Sequence, residues 1–151
     1  MKKFKFRLDR LLRQRKAELD MAQKVYYEAQ VKVQEQLALI QSQYKDLDSA
    51  RERIEQLEKQ GGNFILQVET LHSFITGQKI RIENSRAKAR ELMLVAEEKH
   101  EALIEKMQAH KMIERLKEKK KEEHKIEMRK KLAKQLDDIT LMRTHMARKV
   151  V

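Results

Sequence analysis

The 151-residue chain contains no proline, no cysteine, no tryptophan and only three glycines. With so few residues that turn a backbone tightly, a fold of many short strands is excluded. Without cysteine there is no disulfide framework, no thiolate metal site and no thiol nucleophile. Four phenylalanines and three tyrosines are too few to fill a wide core. The longest uninterrupted apolar run, Leu92-Met93-Leu94-Val95-Ala96, falls far short of the roughly 20 residues that a membrane span requires. The basic start, Lys2-Lys3-Phe4-Lys5-Phe6-Arg7, leads into Leu8-Asp9-Arg10 without the apolar stretch of a secretory signal, and a cytoplasmic protein is expected.

What the chain has in abundance is charge: 35 Lys and Arg against 24 Asp and Glu, a net +11. Such a composition is compatible with disorder. Periodicity argues against it. From Leu8, steps of alternating four and three residues land on Leu12, Arg15, Leu19, Ala22, Tyr26, Ala29, Val33, Gln36, Ile40, Gln43, Leu47, Ala50, Ile54 and Leu57. Twelve of these fifteen are apolar, a 3.5-residue repeat that turns one seam towards a partner helix. Leu37 and Tyr44 sit beside the seam and widen it. Gln36 and Gln43 interrupt it, either as simple tolerance or as polar positions that set register at a cost in stability.

The repeat stops at Gly61-Gly62-Asn63. Glycine permits a left-handed helix end, and Asn63 is suited to cap the helix that follows. From Phe64 the same stepping gives Val68, Leu71, Ile75, Gln78, Ile82, Ser85, Ala89, Leu92, Ala96, Lys99, Leu103, Lys106, His110 and Ile113, of which ten of fifteen with Phe64 are apolar. Gly77 costs this second helix about 1 kcal/mol relative to alanine and leaves open a turn that runs from Gly61 as far as Gly77. Residues 117–125 are wholly polar, and apolar side chains resume at Ile126, Leu132, Leu136, Ile139 and Met146.

Neither helix can bury its stripe alone, and a short connection makes neighbouring helices antiparallel. The expected fold is all-α: one coiled-coil domain over residues 1–151, a long antiparallel two-helix hairpin with helix 1 at about 4–60, a turn at about 61–63 and helix 2 at about 64–147. A turn near Gly62 sets residue i opposite roughly 124 minus i, so that residues beyond about Met128 form a C-terminal overhang. At about 1.5 Å per residue the paired part spans roughly 80 to 90 Å, with some 30 Å of helix beyond it. Residues 1–20 carry +5, residues 111–151 carry +7 and the middle carries −1, so the hairpin gathers the excess charge at one pole.

A basic pole steers association with acidic surfaces. Nucleic acid is one such surface. The basic residues of the second helix, however, are interleaved with Glu114, Glu118, Glu122, Glu123 and Glu127 at ion-pairing spacing, the pattern of a solvated helix, which argues against direct nucleic-acid binding. Glu97 and His100 match the Glu-x-x-His spacing of helical di-metal sites, but no second pair exists to complete one. There is no Gly-rich phosphate loop, no Gly-x-Ser-x-Gly elbow and no His-Glu-x-x-His, and two helices enclose no cavity. The chain is read as a non-enzyme without cofactor or metal. Met93, Met107 and Met112 suit either gap-filling or partner contact; Met142 and Met146, beyond the seam, suit a partner.

The opening run from Phe4 through Phe6, Leu8, Leu11, Leu12 and Arg15 to Glu18 resembles the start of FliJ proteins of the bacterial flagellar type III export apparatus. Glu114-Arg115-Leu116-Lys117-Glu118-Lys119-Lys120, with Leu136-Asp137-Asp138-Ile139, is similar to that family's closing segments; Asp138 stands where the family often has Glu, and Thr140 where it often has Ala. The resemblance implies a non-catalytic stalk, in the cytoplasm and peripheral at the inner face of the membrane at the flagellar base. It would bind and stimulate the hexameric export ATPase and link it to the export gate and export chaperones. It also implies ring-facing roles for Phe4, Phe6, Leu8, Arg10, Leu11, Arg13, Arg129, Lys130, Leu132, Leu136, Ile139 and Arg143, and gate-facing roles for Phe74 and Ile75. A generic coiled-coil adaptor and the related injectisome stalk are the alternatives, with a basic helical nucleic-acid binder behind them.

Overall fold

The computed structural model describes residues 3–149; Lys2, part of the basic start, lies outside them. Two helices make up an all-α hairpin: α1, Asp9–Gln60, of 52 residues, and α2, Ile65–Lys149, of 85. Both follow from a heptad seam uninterrupted by proline, with exposed faces laced by ion pairs such as Lys59–Glu55 at 2.8 Å.

The turn is short. Gly61 has φ +58°, the left-handed conformation that ends a helix without a Cβ penalty. At Gly62 a Cβ would come within 2.8 Å of the Phe64 ring, so a larger residue there would require that ring to move. Because α2 begins at Ile65, the residue at its cap is Phe64, whose carbonyl accepts from Val68 N at 2.9 Å, and not the expected Asn63. Gly77 lies within a continuous helix, so the connection does not extend to it.

The chain divides into two compact units, one of residues 20–105 and one in which the described residues 3–19 pack with 106–149. In the first, Leu47, Ala50, Ile54, Ile75 and Ile82 form the core, flanked by Val68 and Leu71. Burying each large aliphatic here contributes about 1.5–3 kcal/mol before the entropy of ordering it. The seam positions predicted for this unit are buried or half-buried, with one exception. Lys99 is exposed, and His100 takes its place, its ring 5.0 Å from that of Tyr26. An ammonium on a flexible stem swings out to water at little cost, whereas an imidazole can stack. Leu37 and Tyr44 lie beside the seam and remain exposed at 36% and 42%, so they widen the apolar surface rather than the core.

Candidate functional site

The positive charge is concentrated in the second unit: its described residues hold 22 basic and 9 acidic side chains, whereas residues 20–105 hold 12 and 15. This terminal unit is built from three parts, each with a distinct origin in the sequence.

The first part is the segment 3–8, which is not helical; α1 starts at Asp9 rather than near residue 4. Phe4 and Phe6 are two residues apart, a spacing that puts both rings on one side only in an extended chain. Asp9 N donates to Phe6 O at 3.2 Å, closing the turn that launches the helix, and the Asp9 carboxylate sits favourably in the first turn. Phe6 is buried, with Lys117 Nζ 5.9 Å from its ring centroid, while Phe4 tilts against His124 at 5.6 Å. These contacts cover one face of the polar stretch 117–125 of α2, where Lys117, Glu123 and His124 are half-buried and the other six residues exposed. Between this segment, a strap laid on the helix, and α2 runs an open groove of about 880 Å³, lined by Lys3, Lys5, Arg7 and Lys120, by the carboxylates of Glu123 and Glu127, and by apolar Phe4, Leu8 and Leu116.

The second part is the paired stretch of α1 and α2. Lys117 donates to Asp9 at 2.7 Å, and Lys106 to Glu18 at 3.3 Å, with Arg15 on the same carboxylate at 3.3 Å. The bond from Lys106 holds the Glu18 carboxyl below its ordinary value against the opposing effect of desolvation. Beside the segment 3–8, the bond between Lys120 and Glu123 raises the lysine and lowers the glutamate.

The third part is residues 129–149, all of them exposed. They carry seven basic and two acidic side chains. Leu132, Leu136, Ile139 and Met146 form one narrow stripe on this bare helix, with Leu136 56% and Met146 72% exposed. No helix among the described residues is long and apolar enough to cross a membrane, and no three or more of their His, Asp or Glu side chains cluster as metal ligands would.

All twelve ring-facing residues fall in this unit, but with different surfaces. Arg10, Arg13, Arg129, Lys130, Leu132, Leu136, Ile139 and Arg143 are exposed, Phe4, Leu8 and Leu11 are half-buried, and Phe6 is packed inward. Phe6 thus holds the strap rather than offering its ring to a partner. Phe74 and Ile75 lie in the other unit: Phe74 is 38% exposed, whereas Ile75, at 8%, belongs to the core. Of the methionines, Met107 is half-buried in the terminal unit, while Met93, Met112 and Met142 are exposed. The strap and its seat on Lys117 and His124 were not foreseen from the sequence. The signal was present in the i, i+2 spacing of the two phenylalanines ahead of an acidic helix start.

Against known protein families, residues 4–149 match the family described as FliJ, Flagellar FliJ protein. No curated protein and no solved structure gives a significant match.

Proposed function

Because the chain belongs to the FliJ family, a non-catalytic family of the flagellar export apparatus, we propose that its terminal unit docks into the hexameric export ATPase and stimulates it, the chain itself carrying out no chemistry. The observation that carries this reading is the bare helix 129–149. A stripe of Leu132, Leu136, Ile139 and Met146 that nothing among the described residues covers is an incomplete interface, and its excess of cations selects a partner that supplies carboxylates. The narrowness of the stripe suits helices or loops closing around it. Arg129, Lys130 and Arg143 would meet acidic groups, with Arg10 and Arg13 doing the same from α1. In the other unit, Phe74 is the residue left to meet the export gate, since Ile75 is occupied by the core. Export chaperones are further partners, and attachment to the inner face of the membrane would come through these proteins.

The direct test is hydrolysis by the purified cognate ATPase with and without this chain. Stimulation that weakens as salt rises is expected. Absence of both binding and stimulation at low salt would rule the reading out, and self-association through 129–149, seen by light scattering, would favour a coiled-coil adaptor instead.

A further inference from the structure

Two polar layers interrupt the seam of the unit formed by residues 20–105. In one, Gln36 of α1 donates from Nε2 to the backbone carbonyl of Ser85 at 3.0 Å; in the other, Gln78 of α2 donates from Nε2 to the carbonyl of Gln43 at 3.1 Å. The donors come from opposite helices. Gln36, Gln78 and Ser85 are buried and Gln43 half-buried. The side-chain oxygen of Gln78 accepts from Arg81 at 3.3 Å, whereas that of Gln43 is buried with no partner. A seam made for stability alone would hold leucine at these places, because an amide buried with an oxygen unsatisfied costs free energy.

Position explains what stability does not. The layers lie one heptad apart on both helices, and each facing pair has residue numbers that add to 121. We propose that the two layers together are a register lock, which holds α1 and α2 of this unit against sliding by one heptad in either direction. The apolar layers cannot do this, since a slide merely exchanges one aliphatic neighbour for another. The polar ones can. A slide one way sets Gln36 against Leu92 and Gln78 against Ala50, keeping only a Gln43–Ser85 layer. A slide the other way sets Gln43 against Leu71 and Ser85 against Ala29, keeping only Gln36–Gln78. Each slide therefore strands two polar groups among apolar ones. The turn opposes one slide only weakly: Ile65 and Leu66, which open α2, are 67% and 77% exposed, so little packing resists their unwinding, whereas the opposite slide would draw on the end of α1, where Ile54 and Leu57 are buried.

The lock makes a directional prediction. In the double variant Gln36→Leu with Gln78→Leu, the slide that pairs Gln43 with Ser85 becomes the better-matched register; in Gln43→Leu with Ser85→Ala, the opposite slide does. The chain has no cysteine, so spin labels on cysteines introduced at the exposed positions Lys45 and Glu91 report the register in the full-length protein without background. The unsubstituted pair should give one distance. The first variant should add a population shorter by about 10 Å and the second one longer by about 10 Å, a heptad being about 10 Å of helix. Unchanged single distances in both variants would assign register to the turn and overturn the proposal. So would shifts of the opposite sign, or loss of helicity by circular dichroism in both variants, which would make the glutamines ordinary stabilising contacts.

Discussion

Lys117 on α2 holds the carboxylate of Asp9, the first residue of α1, at 2.7 Å and places the same ammonium 5.9 Å from the Phe6 ring. One cation thus anchors both the start of a helix and the strap before it. Its two interactions are partly solvated and worth about 1 kcal/mol together. Replacement Lys117→Ala should lower stability by about that amount and raise amide exchange selectively at residues 9–12. Protection equal to that of the unsubstituted protein at those amides would show that the strap is held without this clasp.

Leu47 and Leu136 are both leucines on a stripe, and their environments differ completely, at 4% and 56% exposure. Leu47→Asp places a charge in the core and should cost at least about 3 kcal/mol, seen as a large fall in the helical melting temperature. Leu136→Asp should leave the melt within about 0.5 kcal/mol of the original while weakening association with the export ATPase. A comparable loss of helicity in both would mean that 129–149 is packed in solution.

Two glycines should respond to alanine with opposite signs. At Gly61 the left-handed φ of +58° strains any Cβ, and Gly61→Ala should destabilise by about 1 kcal/mol. Gly77 sits inside α2 with nothing within 4 Å of the place a Cβ would take, so Gly77→Ala should stabilise by about 1 kcal/mol. Denaturant midpoints at constant slope measure both.

Acid should act on Glu18. Its carboxyl is depressed in the folded chain, chiefly by the bond from Lys106, so its contribution is present above the unfolded carboxylate value and is lost as pH falls through the folded one. Melting temperatures of the original and of Glu18→Gln should accordingly differ at pH 7, converge as the pH falls below the ordinary carboxylate range, and converge also in high salt. A gap that persists in acid would mean that glutamine fails at this site for packing reasons.

The hairpin was legible in the sequence because a heptad seam over so many turns demands a partner helix, and the positions it named from Leu8, just before α1, to Leu57 are all buried or half-buried. It was legible less well where the pattern depends on one side chain. Lys99 occupies a seam position by arithmetic and is displaced by His100, because burying its ammonium would cost more than rotating to a stacked imidazole. Asn63 has the right chemistry for a cap, but the first helical bond, from Val68 N, goes to the carbonyl of Phe64, one residue further on. Phe6, given a ring-facing role by resemblance, is packed inward, because α1 begins only at Asp9 and the segment before it lies against Lys117 and His124 instead. The exposed stripe of 129–149 was readable from the turn position alone, since α2 outlasts its partner.

The passage of α2 from packed to bare at Met128 involves no glycine, no proline and no break in the helix up to Lys149. A bending joint is therefore missing at the boundary where one would be expected. Whatever grips the last five turns does not hold a tether; a twist or a sideways push given there reaches the clasp at Lys117 undamped, as through the shank of a key.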